Sequence, residues 1–567
     1  MFTSLPQTAE EITHWTLAQI EPYFGDLMNR ALTVENVGDW LADWTAVASR
    51  LLEMRSRLSL ANTRDTTDAQ VERRYYAFLE NILPVALAAD QQLKHKFLAS
   101  GLEPKGFEVP LRNMRAEAEL FREANLPLLT QERKMSSEYD KIVGAQTVQW
   151  EGQETTIAQL RPVYQNPDRD LRERAWRLAA ERQLRDREAI NALWARFMEL
   201  RRQLAANADL PDYRAFAWRQ MLRFDYTPAD CVRFHRAIEQ VVVPAATRIY
   251  EQRRKRLGVT ALRPWDLDVD PLGRPPLRPF STIDEMERKA AAIFHRLYPQ
   301  LGEYFETMRR EELLDLDNRK GKAPGGYCTY FPVAKRPFIF ANSVGLHADV
   351  QTLLHEAGHA FHAFESSHLP YHQQWDVGME FAEVASMGME LLAAPYLTGQ
   401  DSFYSDAQAA RARVEHLEGD LVFWPYMAVV DAFQHWVYEN HAAATDPKNC
   451  DAAWAELWRR FMPGVDWSGF EEVMVTGWQR KLHIHQIPFY YIEYGLAQLG
   501  AVQVWRNALD NQADAVARYR KALSLGGTVT LPELYAAAGA RFAFDAPTLQ
   551  EAVSLLEKTI GELEAAP

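Results

Sequence analysis

The sequence predicts a mainly α-helical protein, and three observations carry that expectation. Apolar residues recur at steps of three and four: Ile190, Leu193, Phe197, Leu200 and Leu204 form one stripe, and Tyr75–Ala89, Val414–Val437 and Leu549–Leu563 behave alike. Only two stretches depart from this pattern towards β structure. The composition, 47% hydrophobic and 25% charged over 567 residues, is that of a globular chain and excludes disordered, collagenous and disulfide-scaffold readings. At about 150 residues per domain the chain holds three to four domains' worth of material, enough for a large core.

Taken in order, the N-terminus has no basic stretch followed by an apolar one, and nowhere do about 18 apolar residues run together. A cytoplasmic chain that spans no membrane is expected. A break in periodicity falls near 61–68. Val148–Ile157 alternates β-formers around Glu151-Gly152, as a short hairpin does. Arg253–Arg256 is the one basic run and reads as the solvated face of a helix. Pro264, Pro271, Pro275, Pro276 and Pro279 make 261–282 a long loop or interdomain linker. From Ala323 to Asn342, two aromatic and β-branched runs flank a turn and predict a small sheet. The expected organisation is an N-terminal helical domain over 1–190, with the hairpin near 148–157, and a catalytic domain over 191–567.

Charge and cysteine use narrow the function. The 63 Lys and Arg against 77 Asp and Glu give −14, which repels a phosphate backbone and excludes nucleic acid as a partner, and gives an anionic membrane surface little to attract. Three cysteines, Cys231, Cys328 and Cys450, lie far apart and fit a reducing compartment.

Eleven of the fifteen histidines fall between His347 and His485, and there the chain reads His355-Glu356-Ala357-Gly358-His359. On a helix, residues four apart share a face, so both imidazoles can converge on one metal while Glu356 projects towards a bound water. About 0.03 such patterns are expected by chance in this chain, so context must decide. A catalytic zinc takes three protein ligands and leaves a fourth position open. A metzincin would need His at 365 and Gly at 362, where Glu365 and His362 stand. The next helix-like run, Trp375–Glu390, is apolar except that Glu380, Glu383 and Glu390 fall within one quadrant at about 100° per residue. Spacing alone leaves Glu380 and Glu383 open as third ligand.

This stretch, with the His355 motif, resembles the thimet oligopeptidase and oligopeptidase F group of metallopeptidases, family M3. In that family a Phe-x-Glu triplet supplies the third ligand, and Phe381-Ala382-Glu383 matches it. The resemblance therefore implies His355, His359 and Glu383 as ligands of one zinc ion per chain, with Glu380 and Glu390 orienting the imidazoles. Lys322–Cys328 is similar to the family's glycine loop and strand, and His483–Tyr494 to its His and Tyr cluster. Altogether the likeness covers about 190–567 and points to the oligopeptidase F branch with the Pz-peptidases.

What the resemblance implies is a zincin fold: a two-lobed helical ellipsoid with a deep channel and a small sheet beside the His355 helix. The implied activity is zinc-dependent endopeptidase action on short unstructured oligopeptides. Zinc and Glu356 activate the water, and His483 with Tyr490, Tyr491 or Tyr494 supports the oxyanion; seven residues past Tyr490 stands Ala497, so a second phenol comes from Tyr491 or Tyr494. Gly325, Gly326, Tyr327, Ala341 and Asn342 are expected to hold the peptide as an added strand. Competing readings are a zinc carboxypeptidase, which needs a cationic clamp that the sequence does not locate, an aminopeptidase, and a non-catalytic peptide carrier, against which Glu356 argues. Manganese or cobalt can replace zinc at such ligands.

Overall fold

The computed structural model describes residues 2–565. Helices dominate them, and the stripe from Ile190 to Leu204 is buried along one face of Arg187–Asn207, as its spacing requires. The helices that frame the site are α1 (Val37–Arg64), α2 (Pro228–Leu257), α3 (His347–Ser366), α4 (Met379–Ala393), α5 (Asp406–Glu439), α6 (Leu482–Gln486) and α7 (Tyr491–Asp510). Their ends follow local chemistry. α2 opens with Pro228 in its first turn and the Asp230 carboxylate accepting from the Thr227 N–H at 2.8 Å, and stops at Gly258 with φ +66°. α3 opens with the Asp349 carboxylate accepting from the backbone N–H of Val344 and Leu346, both at 2.8 Å. No helix among the described residues is long and apolar enough to cross a membrane.

The hairpin pairs β1 (Thr147–Trp150) with β2 (Gln153–Thr156), and Glu151 and Gly152 both have positive φ, as a type I′ turn demands. The second sheet has three strands, β3 (Leu314–Asp317), β4 (Tyr327–Phe331) and β5 (Arg336–Ser343), in the order β3-β5-β4. β3 runs parallel to β5, and β4 runs antiparallel to it from Tyr327↔Phe340 to Phe331↔Arg336. Two of these strands are legible in sequence; β3, four residues reading Leu-Asp-Leu-Asp, is too short to stand out. β5 is the buried centre and pairs at both edges, which its continuous Phe338-Ile339-Phe340-Ala341 run suits. β4 keeps one edge unpaired within the sheet.

Two hydrophobic cores carry the fold. The smaller is built from residues between Leu5 and Met114 and the larger from residues between Leu120 and Leu556. A small cluster of Leu60, Ala323, Phe331, Phe338 and Phe340 seats α1 against the three-stranded sheet. Between the cores lies a cavity of about 560 Å³, lined by Asn62, Thr63 and Tyr75 on one side, Tyr213 and Gln486 on the other, and Cys328 of β4.

The proline-rich stretch is a long loop, one of its two expected forms, and it is fastened to the body of the fold. Trp265, Val269, Leu277 and Phe280 are buried, and the fully buried Asp266 accepts from Arg169 at 3.0 and 2.8 Å and from Arg172 at 2.9 Å. A charge so enclosed holds its segment in place as long as its cations remain. In the basic run, Arg254 and Lys255 pair with Glu251 and Arg256 with Glu564, an ion-paired helix face.

α3 and α4 approach each other through Gly358. A Cβ there would lie 2.4 Å from the Ala385 carbonyl oxygen and 2.6 Å from Ser386 Cα, backbone atoms that cannot swing aside. Gly358→Ala is therefore expected to destabilise the fold by about 1–3 kcal/mol or more through overpacking. Gly419→Ala, on an α5 face with nothing within 4 Å, should instead stabilise by about 0.5–1 kcal/mol. Urea unfolding midpoints of the two variants check the opposite signs.

Candidate metal centre

α3 presents His355 and His359 one turn apart on one face, and α4 brings Glu383 between them. His355 Nε2 lies 3.2 Å and His359 Nε2 3.4 Å from Glu383 Oε2, and the ligand atoms of all three lie within 4.8 Å of one another. Glu383 is 1% exposed. Its Oε2 also accepts from Ser386 Oγ at 2.8 Å and its Oε1 from the Tyr490 hydroxyl at 2.6 Å. The far side of His355 is held as well: Nδ1 lies 2.7 Å from Glu390 Oε1, and Glu390 Oε2 lies 2.9 Å from His416 Nε2 of α5.

The electrostatics follow from burial and these partners. Burial alone would raise the Glu383 carboxyl, but the facing imidazoles hold it well below the usual carboxylate range. Burial would likewise depress His355, and the Glu383 and Glu390 carboxylates hold it well above its ordinary value. His416, against the same burial, is pushed up to about 9 by Asp420 and Glu390.

Glu356 follows His355 on α3, is 5% exposed, and has an Oε2 with no hydrogen-bond partner among the described residues. Burial pushes its carboxyl up. The glycine loop lies against it: Gly325 has φ +88°, and a Cβ on Gly326 would stand 3.5 Å from Glu356 Oε1 and 3.2 Å from Thr352 Cγ2. Backbone can thus run past the carboxylate because side chains are missing there.

α6 and the start of α7 supply the opposite wall. His483 Nε2 lies 3.3 Å from the Tyr494 hydroxyl, and its ring is tilted against Tyr490, with centroids 5.7 Å apart. Tyr490 and Tyr494, four apart, share a face. Burial pushes His483 down to about 3, so it is a neutral imidazole, and raises both phenols well above 10, so they stay protonated. His485 is elsewhere: fully buried, it stacks on Tyr139 with centroids 4.7 Å apart and packs on Trp194 and Trp478.

Several expectations are corrected. Glu380 does not orient an imidazole; it shares a quadrant of α4 with Glu383 but stands nearly one turn nearer the helix start, where it accepts from the Tyr226 hydroxyl at 2.5 Å and faces Arg223 Nε at 3.5 Å. Arg223 also donates to Glu493 and to the Phe489 carbonyl, both at 2.6 Å, so Glu380 ties α4 to the chain that leads into Tyr490. Tyr491 is buried against Phe423 and Tyr426, with Lys481 Nζ 4.3 Å over its ring, and packs edge-on against His483 and Tyr494 with centroids 5.1 and 5.3 Å apart, so it buttresses that pair. Ala341 is buried on the central strand with its carbonyl taken by Lys322, so it has no edge to offer a peptide. Asn342 instead donates to the carbonyls of Ala323 at 3.0 Å and Gly325 at 2.8 Å and fastens the glycine loop. The Tyr327 side chain is committed to α1 through Thr63. Sequence reasoning missed His416, Arg223 and Ser386. Ser386 alone had a local signal, three residues after Glu383 on the same helix.

The donor set fits a divalent first-row cation. Two imidazole nitrogens and one carboxylate oxygen are the ligands of an open three-ligand site. Ligand atoms around one tetrahedral ion with bonds of about 2.0–2.1 Å stand roughly 3.3 Å apart, and the 3.2 and 3.4 Å separations agree.

Comparison with known proteins meets the same region. The sequence model described as peptidase family M3 matches residues 163–554. An oligoendopeptidase F homolog of Mycoplasma pneumoniae is 25% identical over 477 residues, covering 75% of this chain and 72% of the relative. Another, of Borreliella burgdorferi, is 24% identical over 292 residues; that match takes in half of this chain and about half, 48%, of the relative's length. A solved structure of Pz peptidase A with an inhibitor superposes with a TM-score of 0.90 at 28% identity, covering 100% of this chain and 99% of that one.

The caged His485 yields a pH test. Burial pushes its folded-state value down to about 3, against about 6.5 unfolded. Below about pH 6.5 the unfolded chain therefore binds a proton that the folded chain refuses, and stability falls as pH falls, by about 1.4 kcal/mol per unit. His485→Phe removes that proton, so the stability difference between variant and wild type should move in the variant's favour by that slope between pH 6 and 4. Denaturant titrations at several pH values measure it; a pH-independent difference would overturn it.

Proposed function

The chain belongs to peptidase family M3, and from that premise we propose that it is a zinc-dependent endopeptidase that hydrolyses internal bonds of short unstructured oligopeptides. The observation that carries the reading is the convergence of His355, His359 and Glu383, with the unpaired Glu356 oxygen one residue along α3. The relatives known as oligoendopeptidase F homologs support the substrate class.

His355, His359 and Glu383 would hold the zinc, which supplies a bound water acidic enough to ionise near neutral pH and a Lewis acid for the scissile carbonyl. Glu356 takes the proton from the attacking water and returns it to the leaving amine. Its buried, raised carboxyl suits a group that must be base and then acid at neutral pH. His483 and Tyr494, as neutral donors, stabilise the oxyanion, and Tyr490, whose O–H is committed to Glu383 Oε1, keeps Glu383 in place. Glu390, backed by His416, fixes the ring plane of His355 and raises its basicity.

The peptide adds to the unpaired edge of β4 beside the cavity, where main-chain hydrogen bonds grip extended substrates with little regard for side chain. A cleft set between two cores favours short flexible chains over folded proteins. The cysteines are all unpaired, which supports a cytoplasmic setting.

Mass-spectrometric mapping of products from peptides about 6–20 residues long tests the reading. Zinc-loaded wild type should cut internal bonds, a chelator should abolish the cuts, and Glu356→Gln should slow them at least about 10²-fold. Ladders trimmed only from the C-terminus, or no cuts at all, would sink the proposal. Glu390→Gln should weaken zinc affinity about 10–100-fold in competition with a chromogenic chelator, with activity recovering at saturating zinc.

A further inference from the structure

A second cluster among the described residues brings three metal-competent side chains within 4.8 Å: Cys231, Asp431 and His435, all buried. They arise from two i, i+4 pairs, Cys231 with His235 on α2 and Asp431 with His435 on α5, and these two long helices pack together. Residues four apart on one helix face converge on one point between helices. His435 Nε2 stands 3.4 Å from Asp431 Oδ2, the separation that His359 and Glu383 show. That spacing is loose for a hydrogen bond, so the imidazole nitrogen and the carboxylate meet at one point without satisfying each other, and Oδ1 is the oxygen left for a ligand.

Two further observations point to a missing ligand. Asp431 is 0% and His435 5% exposed, yet Asp431 Oδ1 and His435 Nε2 have no hydrogen-bond partner among the described residues. Buried polar atoms are ordinarily satisfied, and the exceptions call for an occupant. Asp431 Oδ2, the oxygen on the His435 side, accepts from His235 Nε2 at 2.8 Å, the outer partner that a ligating carboxylate normally has. Arg214 Nη1, 3.4 Å from His435 Nδ1, makes only a loose contact, because its guanidinium is paired with Glu439.

We propose that Cys231, Asp431 and His435 are three ligands of a zinc ion that clamps α2 to α5, with His235 holding Asp431 in place. Thiolate, imidazole and carboxylate together select a borderline-soft cation over magnesium or calcium. Binding releases the thiol proton to solvent, and the two negative charges then balance the ion in a dry core. A catalytic Cys-His-Asp reading fails on access: Cys231 is fully buried, and Trp218 and Phe489 pack on His435. The cluster is separate from the first centre, since Asp431 lies fifteen residues beyond His416, roughly 22 Å along α5.

The sulfur ligand makes the two sites distinguishable, because the His355, His359 and Glu383 set contains none. The full-length protein is stripped of metal, refolded with cobalt(II), and examined for the near-ultraviolet sulfur-to-cobalt charge-transfer band; zinc content is measured in parallel by plasma mass spectrometry. Wild type should carry two zinc ions and show the band. His355→Ala/His359→Ala should keep one zinc and the band. Cys231→Ser should lose the band and one zinc. Where Cys231→Ser fails to fold, the wild type and the double-histidine variant decide alone. No band with at most one zinc in wild type overturns the proposal, as does a band that disappears with His355 and His359, which would place the sulfur at the first centre.

Discussion

The structure turns on one buried charge. Glu383 sits at the meeting of α3 and α4 with 1% of its surface exposed, where an unpaired carboxylate would cost several kcal/mol. The groups on its two oxygens are imidazoles and hydroxyl donors: His355 and His359 on Oε2, Ser386 beside them, and Tyr490 on Oε1. That set is what a metal ion would share, so the demands of folding and of ligation fall on the same atoms. Gly358 makes the meeting possible by letting the α3 backbone touch that of α4.

The three carboxylates of α4 show how position along a helix and tertiary partner divide labour. Glu383 faces the imidazoles, and Glu390, two turns on, reaches behind His355 and bridges it to His416 of α5. Glu380 is turned to Arg223, whose guanidinium also holds Glu493 and the carbonyl of Phe489. A residue that does not approach the imidazoles thus sets where Tyr490 stands. Removing one partner from such a buried network leaves the others uncompensated, which is why its members act as a unit.

The sheet and the helices have different tasks. β5, paired on both edges, anchors the glycine loop through Asn342, whereas β4 offers its free edge to the cavity between the cores. α5 links the two clusters of metal-competent residues, with His416 near one end and Asp431 and His435 further along. A clamp between α2 and α5 would stiffen the helix on which the outer partner of His355 depends.

The sequence by itself determined the helical class, the hairpin turn at Glu151-Gly152, two strands of the sheet and the pairing of His355 with His359. All of these rest on periods of two or 3.6 residues that the backbone imposes locally. The Phe381-Ala382-Glu383 likeness singled out the third carboxylate where spacing could not. Only the tertiary structure decided that Glu380 belongs to Arg223, that Tyr491 is buried against Phe423 and Tyr426 while Tyr490 and Tyr494 face the site, and that His416 of α5 stands behind Glu390. Those pairings join positions from 26 to 157 residues apart or depend on how a loop enters a helix. No local period encodes them; they follow from which helix faces can approach closely enough to bury a charge and still satisfy it.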